Sequence, residues 1–243
     1  MPYDLARFGV TDMMSCRGRL RGLFDEDPGS TAGAAQRVVD FFYDELVDER
    51  GGHAFALVRF FKTERFDALD GGQQEFALKT AGSAALDDDV RCLTLLATTG
   101  DEPAWHSPEQ SRGHRAIPLT SIDMVEQAPM IAQLIKQLGL SVATVVRPEA
   151  GLILDTEGRK QNVFYVPEAL GSPHIVAQEE FVRPYGIASV IGLGGLISTG
   201  DMFALILFSK VPISREVADL FGVLGLNLKI AILPMINRTL LRS

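Results

Sequence analysis

Apolar residues recur along this chain with two periods, and each change of period marks a new element. Between positions 5 and 24, Val10, Met13, Met14, Leu20 and Leu23 follow helical spacing around Arg17, Arg19 and Arg21. Asp25-Glu26-Asp27-Pro28-Gly29 breaks that helix. Ser30 or Thr31 then caps a second helix, in which Ala35, Val38, Val39, Phe42 and Leu46 recur until Gly51-Gly52. From there the period shortens to two. A strand is predicted over 53–61, with Phe55, Leu57, Arg59 and Phe61 on one side of the alternation, and another over 91–98. An acidic, Gly-rich insertion with a short helix at 73–80 separates them.

Beyond a polar loop at 105–115 and a short apolar piece at 116–119, Thr120 or Ser121 caps a helix expected to run to Leu138 and Gly139. Pro129 lies near its middle as a kink. Residues 142–146 and 162–166 read as a pair of strands around a turn-rich stretch, and 178–182 as a short helix that positions Phe181. The clearest pattern comes last. Two apolar strands, 187–197 and 202–211, are joined by Ser198-Thr199-Gly200-Asp201 as a hairpin. Ser214 then caps a long helix carrying Val217, Phe221, Leu224, Leu228, Ala231 and Met235 at alternating steps of four and three. Pro234 is expected to kink or end it.

The pattern predicts one elaborated α+β domain over 1–243. N-terminal helices occupy 1–50, a sheet core with insertions 53–211 and a C-terminal helix 212–241. A central antiparallel sheet is flanked by helices, with the N- and C-terminal helices packed together.

Composition narrows the function. With 23 basic against 31 acidic residues the net charge is −8, which repels phosphate backbones and anionic head groups, so neither nucleic acid nor membrane is an expected partner. The apolar stretches fall short of the ~20 residues of a membrane-spanning helix. Cys16 and Cys92 have neither disulfide nor metal-ligand spacing, and residues 1–10 lack a signal-peptide core, so a cytoplasmic location is expected.

Tyr185-Gly186-Ile187-Ala188-Ser189-Val190-Ile191-Gly192, the Thr199-Gly200-Asp201 turn, Phe203-Ala204-Leu205-Ile206-Leu207-Phe208 and the following helix resemble the closing strand, turn, strand and helix of GAF domains. Arg59-Phe60-Phe61-Lys62-Thr63, Arg91-Cys92-Leu93-Thr94-Leu95-Leu96-Ala97, Ser111-Arg112-Gly113-His114-Arg115-Ala116-Ile117-Pro118-Leu119, Pro129-Met130-Ile131-Ala132-Gln133-Leu134-Ile135 and Val166-Pro167-Glu168-Ala169-Leu170-Gly171-Ser172-Pro173 extend the likeness. They are similar to uncharacterised GAF-like N-terminal sensor regions of bacterial histidine kinases and related signalling proteins. The resemblance implies a sensory domain that binds an unidentified small molecule, acts as a homodimer and addresses a signalling output protein. It names no ligand and no cofactor. The asparagine-lysine and phenylalanine signature of cyclic-nucleotide-binding members is missing, as is the cysteine set of GAF-type methionine sulfoxide reductases.

In a GAF-like arrangement the ligand lies between one sheet face and the loops that follow the middle strands. Trp105, Arg112, His114, Arg115, Phe164, Tyr165 and Tyr185 are therefore the candidate ligand-binding residues, a mixture of aromatic and basic groups suited to a planar or anionic molecule. His106, His114 and His174 are candidate ligands for a metal or heme iron, without HExxH or CxxC spacing to support them. No complete catalytic motif is present, so no catalytic residue is assigned. An interaction scaffold with a filled pocket and a small-molecule hydrolase are the alternatives. Leu226 and Ile230 lie off the main stripe of the last helix, where a second copy would pack.

Overall fold

The computed structural model describes residues 2–148 and 162–240, with 231–240 described by their backbone alone. In chain order the elements are β1 (Tyr3–Asp4), α1 (Val10–Gly22), α2 (Thr31–Glu45), β2 (Leu46–Val47), β3 (Phe55–Arg65), α3 (Gly71–Ala81), β4 (Arg91–Gly100) and β5 (Ala116–Pro118). They continue with α4 (Ile122–Glu126), α5 (Pro129–Gln137), α6 (Val142–Val146), β6 (Phe164–Val166), β7 (Ser189–Leu196), β8 (Met202–Ser209) and α7 (Arg215–Leu240). Strands β5-β4-β3-β8-β7-β6 form a six-stranded sheet, antiparallel throughout, while β1 and β2 pair in parallel beside it. The expected α+β class, with its central antiparallel sheet flanked by helices, is the architecture observed.

Each face of the sheet carries its own core. On one face α1, α2 and α7 pack around Phe8, Phe42 and Phe221, with ring centroids 5.2 Å apart for Phe8–Phe221 and 6.1 Å for Phe42–Phe221. The N- and C-terminal helices do pack together. Val217, Phe221, Leu224 and Leu228 are buried against α1 and β7 within the same chain, leaving Leu226 and Ile230 exposed. Ala231 and Met235 lie outside the described side chains. On the other face α4, α5 and α6 cover Leu57, Phe61, Leu95 and Ile206. A smaller apolar cluster sits under α3, around Ala77, Cys92 and Ala116.

Local chemistry sets the boundaries. The Ser30 hydroxyl accepts from the Gly33 amide at 3.0 Å and opens α2. Asp70 and Gln73 cap α3 reciprocally, at 2.8 and 3.2 Å. Ser121 caps α4 through the Met124 amide at 3.1 Å.

Several expectations are corrected. The helix predicted from Ser121 to Leu138 is two helices, because Pro129 takes the first position of α5 instead of kinking one continuous helix. Residues 142–146, expected as a strand, form α6: three adjacent β-branched residues give way to packing of Val142, Val145 and Val146 on the core. The turn-rich stretch between 146 and 162 falls largely outside the described residues. Pro234 does not end the last helix, whose backbone continues to Leu240. Phe55, expected on the side of Leu57 and Phe61, joins the other core because the β3–β8 register shifts between Phe55 and Leu57.

Candidate functional site

The sheet register aligns residues of neighbouring strands into rows. Thr98 of β4 lies opposite Arg59 of β3, Arg59 opposite Ile206 of β8, Ile206 opposite Gly192 of β7, and Gly192 opposite Phe164 of β6. This row runs across the face covered by α4, α5 and α6. Two residues along β3, the parallel row is Gly100, Leu57 and Phe208. One row is polar at its β4 end; the other is capped by aromatic rings.

Arg59 is a charge among apolar neighbours, and its polar contacts are few. Its Nη2 donates to the Ser111 hydroxyl at a long 3.3 Å, while its Nε has no partner although it is buried. Burial alone pulls the guanidinium down to about 10, since no carboxylate faces it to restore the charge. Beside it the hydroxyl of Thr98, a fully buried residue, also lacks a partner. Directly paired residues of neighbouring strands have Cβ atoms about 5 Å apart, so the two unsatisfied groups belong to adjacent residues of one row. They are the two buried unpaired side-chain polar groups found among the described residues.

The β4–β5 connection brings further groups to the same place. Ser111 is buried, and its proton goes to the Gly113 carbonyl at 2.6 Å. His114 takes a left-handed backbone conformation with φ of 65°, found at no other non-glycine position among the described residues. Desolvation first, and the nearby Arg59 guanidinium second, hold its imidazole below the ordinary histidine range. The residue is nevertheless exposed.

Above the second row, Trp105 meets Tyr185 at 4.6 Å and Phe181 at 5.7 Å, and Phe181 meets Phe208 edge-on at 4.9 Å. Gly100 makes this approach possible, because a Cβ there would stand 2.7 Å from the Trp105 ring and 3.1 Å from Leu57. The π-helical turn at Gln178–Val182 carries Phe181, as the sequence suggested. The Tyr185 hydroxyl donates to Glu102 at 3.1 Å.

The candidate residues therefore divide. Trp105, His114 and Tyr185 gather around the Arg59 and Leu57 rows. Phe164 lies at the far end of the Arg59 row, fully buried and filling the space that Gly192 leaves open. Arg112 is exposed, and Arg115 extends toward Gly72 at the start of α3. Tyr165 packs on the opposite core and donates its hydroxyl to the Ile213 carbonyl. It lines an open cleft of about 830 Å³ with Gln137, Asn162 and Arg215, where the charged groups are already paired, Arg215 with Asp219 at 2.9 Å. A second cleft, of about 750 Å³ between Pro167, Val182, Ile187 and Pro212, touches none of the candidates. His106, His114 and His174 are not brought together, and no group of three metal-ligating side chains forms among the described residues.

Sequence reasoning missed Arg59, Thr98 and Ser111. A signal was present: Arg59 interrupts an apolar alternation on an inward side, and a lone charge there needs a partner.

Cys16 and Cys92 are both buried, and burial pushes their thiols up to about 12 and about 11. No described helix is long and apolar enough to cross a membrane.

The antiparallel sheet, the helices on both faces and the loop-covered side define a GAF-like α+β fold. Among solved structures the chain is similar to that of free methionine-R-sulfoxide reductase from Neisseria meningitidis in complex with its substrate, with a TM-score of 0.52, 11% identity and 98% of each chain covered. No protein-family model and no curated protein matches the chain. At that identity the likeness speaks for the fold.

Proposed function

We propose that this chain is a sensory domain that binds a small molecule on the sheet face bearing Arg59, and that it acts as a homodimer toward a signalling output protein, as the likeness to histidine-kinase sensor regions implies. One observation carries the reading: two buried polar groups without partners, Arg59 Nε and Thr98 Oγ1, belong to cross-strand neighbours on the row next to a half-buried cluster of Trp105, Phe181 and Tyr185. Buried polar groups are rarely left unpaired, and exceptions concentrate where something else binds. The solved neighbour holds its substrate on the same fold, which supports a ligand role. Its reductase chemistry is a poorer guide, because the raised thiols of Cys16 and Cys92 keep the nucleophilic thiolate scarce.

Native mass spectrometry of freshly purified protein, followed by a fragment screen read through Trp105, the single tryptophan, tests the ligand. A retained mass or a saturable fluorescence change supports it. A bare mass with no response to any fragment overturns it in favour of an interaction scaffold, and turnover in an esterase screen would favour a hydrolase. For the dimer, Leu226 and Ile230 stand exposed one turn apart on α7. Sedimentation should give twice the monomer mass, and Leu226→Glu with Ile230→Glu should halve it; a monomeric parent removes the dimer.

A further inference from the structure

A guanidinium carries five N–H donors and no acceptor, so the contacts of Arg59 also say what is missing. Along one edge its Nε–H and an Nη2 N–H run parallel, the fork that takes both oxygens of a carboxylate. On that edge Nε is unpartnered and Nη2 is held by Ser111 at 3.3 Å, while the Ser111 proton is committed to Gly113 at 2.6 Å. Thr98, opposite Arg59, adds an idle hydroxyl. No ion pair forms to Arg59 among the described residues, so one positive charge lies buried without its counter-charge.

We propose that the ligand of this face is a small monocarboxylate, bound side-on by Arg59 through Nε–H and Nη2–H, with the Thr98 hydroxyl as a third donor. This rests on the ligand-binding reading above and names its chemistry. A single negative charge fits because Arg59 is the guanidinium buried at this row: Arg112 is exposed and Arg115 extends to α3. A phosphoryl dianion would bring a second charge with nothing to balance it. The body of the ligand is apolar and flat. Trp105, Phe181 and Tyr185 stand over the next row, about 7 Å along the strand from Arg59, which suits a ring or short chain attached directly to the carboxylate.

Sodium benzoate is the probe, with benzamide and inorganic phosphate as controls, observed in the arginine Nε–Hε and tryptophan indole signals of the isotope-labelled full chain. Benzoate should move both Arg59 and Trp105. Its affinity should fall about 10- to 100-fold in Arg59→Met and by a smaller factor in Thr98→Val, the loss expected for a charge-assisted and a neutral hydrogen bond. Thr98→Val preserves shape and keeps the test valid should Arg59→Met disturb the fold. Arg59 unmoved by benzoate, or moved by phosphate alone, overturns the proposal, as does an Nε–H whose sole contact is a long-lived water. If benzoate and benzamide both move Trp105 with equal affinity in parent and Arg59→Met, carboxylate recognition is wrong while the ligand face stands. Silence of both signals toward all three probes and every member of the fragment screen removes the face as well.

Discussion

Replacing Arg59 by methionine should make the ligand-free protein more stable. Burial pulls the guanidinium from its ordinary value down to about 10. At 1.36 kcal/mol per unit this amounts to about 3 kcal/mol by which folding disfavours the charged form. The 3.3 Å bond to Ser111 offsets roughly 1 kcal/mol of it. Arg59→Met keeps the length of the stem and removes the charge, so a gain of about 2 kcal/mol is expected, or roughly 4–8 °C in Tm for a chain of this size. The sign with pH follows. The folded value lies below the unfolded one, so from about pH 10 up to the ordinary guanidinium value the unfolded state binds more protons, and stability of the parent rises with pH across that window. Below it the full penalty is present. Urea unfolding of parent and variant from about pH 6 to 9 should show a constant gap that narrows above about pH 10. A variant less stable than the parent by 1 kcal/mol or more, on the order of one hydrogen bond, would mean that the guanidinium has a stabilising partner and that its charge is not stranded.

Other consequences are as direct. A Cβ on Gly194 would overlap the Phe203 carbonyl oxygen and crowd Leu138 at 2.9 Å, whereas one on Gly195 meets nothing within 4 Å; Gly194→Ala should therefore cost roughly 1–3 kcal/mol and Gly195→Ala almost nothing in thermal melts. Neither Cys16 nor Cys92 should react with a disulfide reagent at pH 8 until denaturant is added, when both should; fast labelling of the native protein would contradict their burial. Arg19 of α1 holds Glu45 at the end of α2 through bonds of 2.5 and 2.6 Å and draws its carboxyl below the ordinary range. The stabilisation is thus present above the unfolded value and lost as pH falls through the lowered one. Both groups keep solvent contact, so Glu45→Gln should lower stability by about 0.5–1 kcal/mol at pH 7 and leave it unchanged at pH 2 in urea titrations.

Period and punctuation carried most of the fold. The β7–β8 hairpin, the stripe on α7 and the capped α2 each combine a strong apolar repeat with a terminator, and each lies close to where the sequence puts it. Where local and global preferences disagree, the sequence misleads: Val142, Val145 and Val146 favour a strand by propensity but pack on the core as a helical turn. A bulge hides equally well, since one shifted register sends Phe55 and Leu57 to opposite cores. The residues of the candidate site were legible in part. Trp105, His114 and Tyr185 stand out as aromatic and basic residues in loops, a surface pattern. The pairing of Arg59 with Thr98 depends on which residue of β4 faces which residue of β3, and that is decided by strands whose pairing spans some forty positions of chain.

Thr98 and its neighbour Thr99 face opposite sides of the same strand. On the helical side Thr99 donates to Asp40 of α2 at 2.5 Å and accepts from Gln36 at 3.0 Å, and α2 in turn packs on α7. One hydroxyl is idle and the next is tightly held. A group that draws Thr98 toward it therefore acts on the Thr99–Asp40 bond and, through it, on α2. A single peptide unit of the strand thus joins the polar row to the helices behind it.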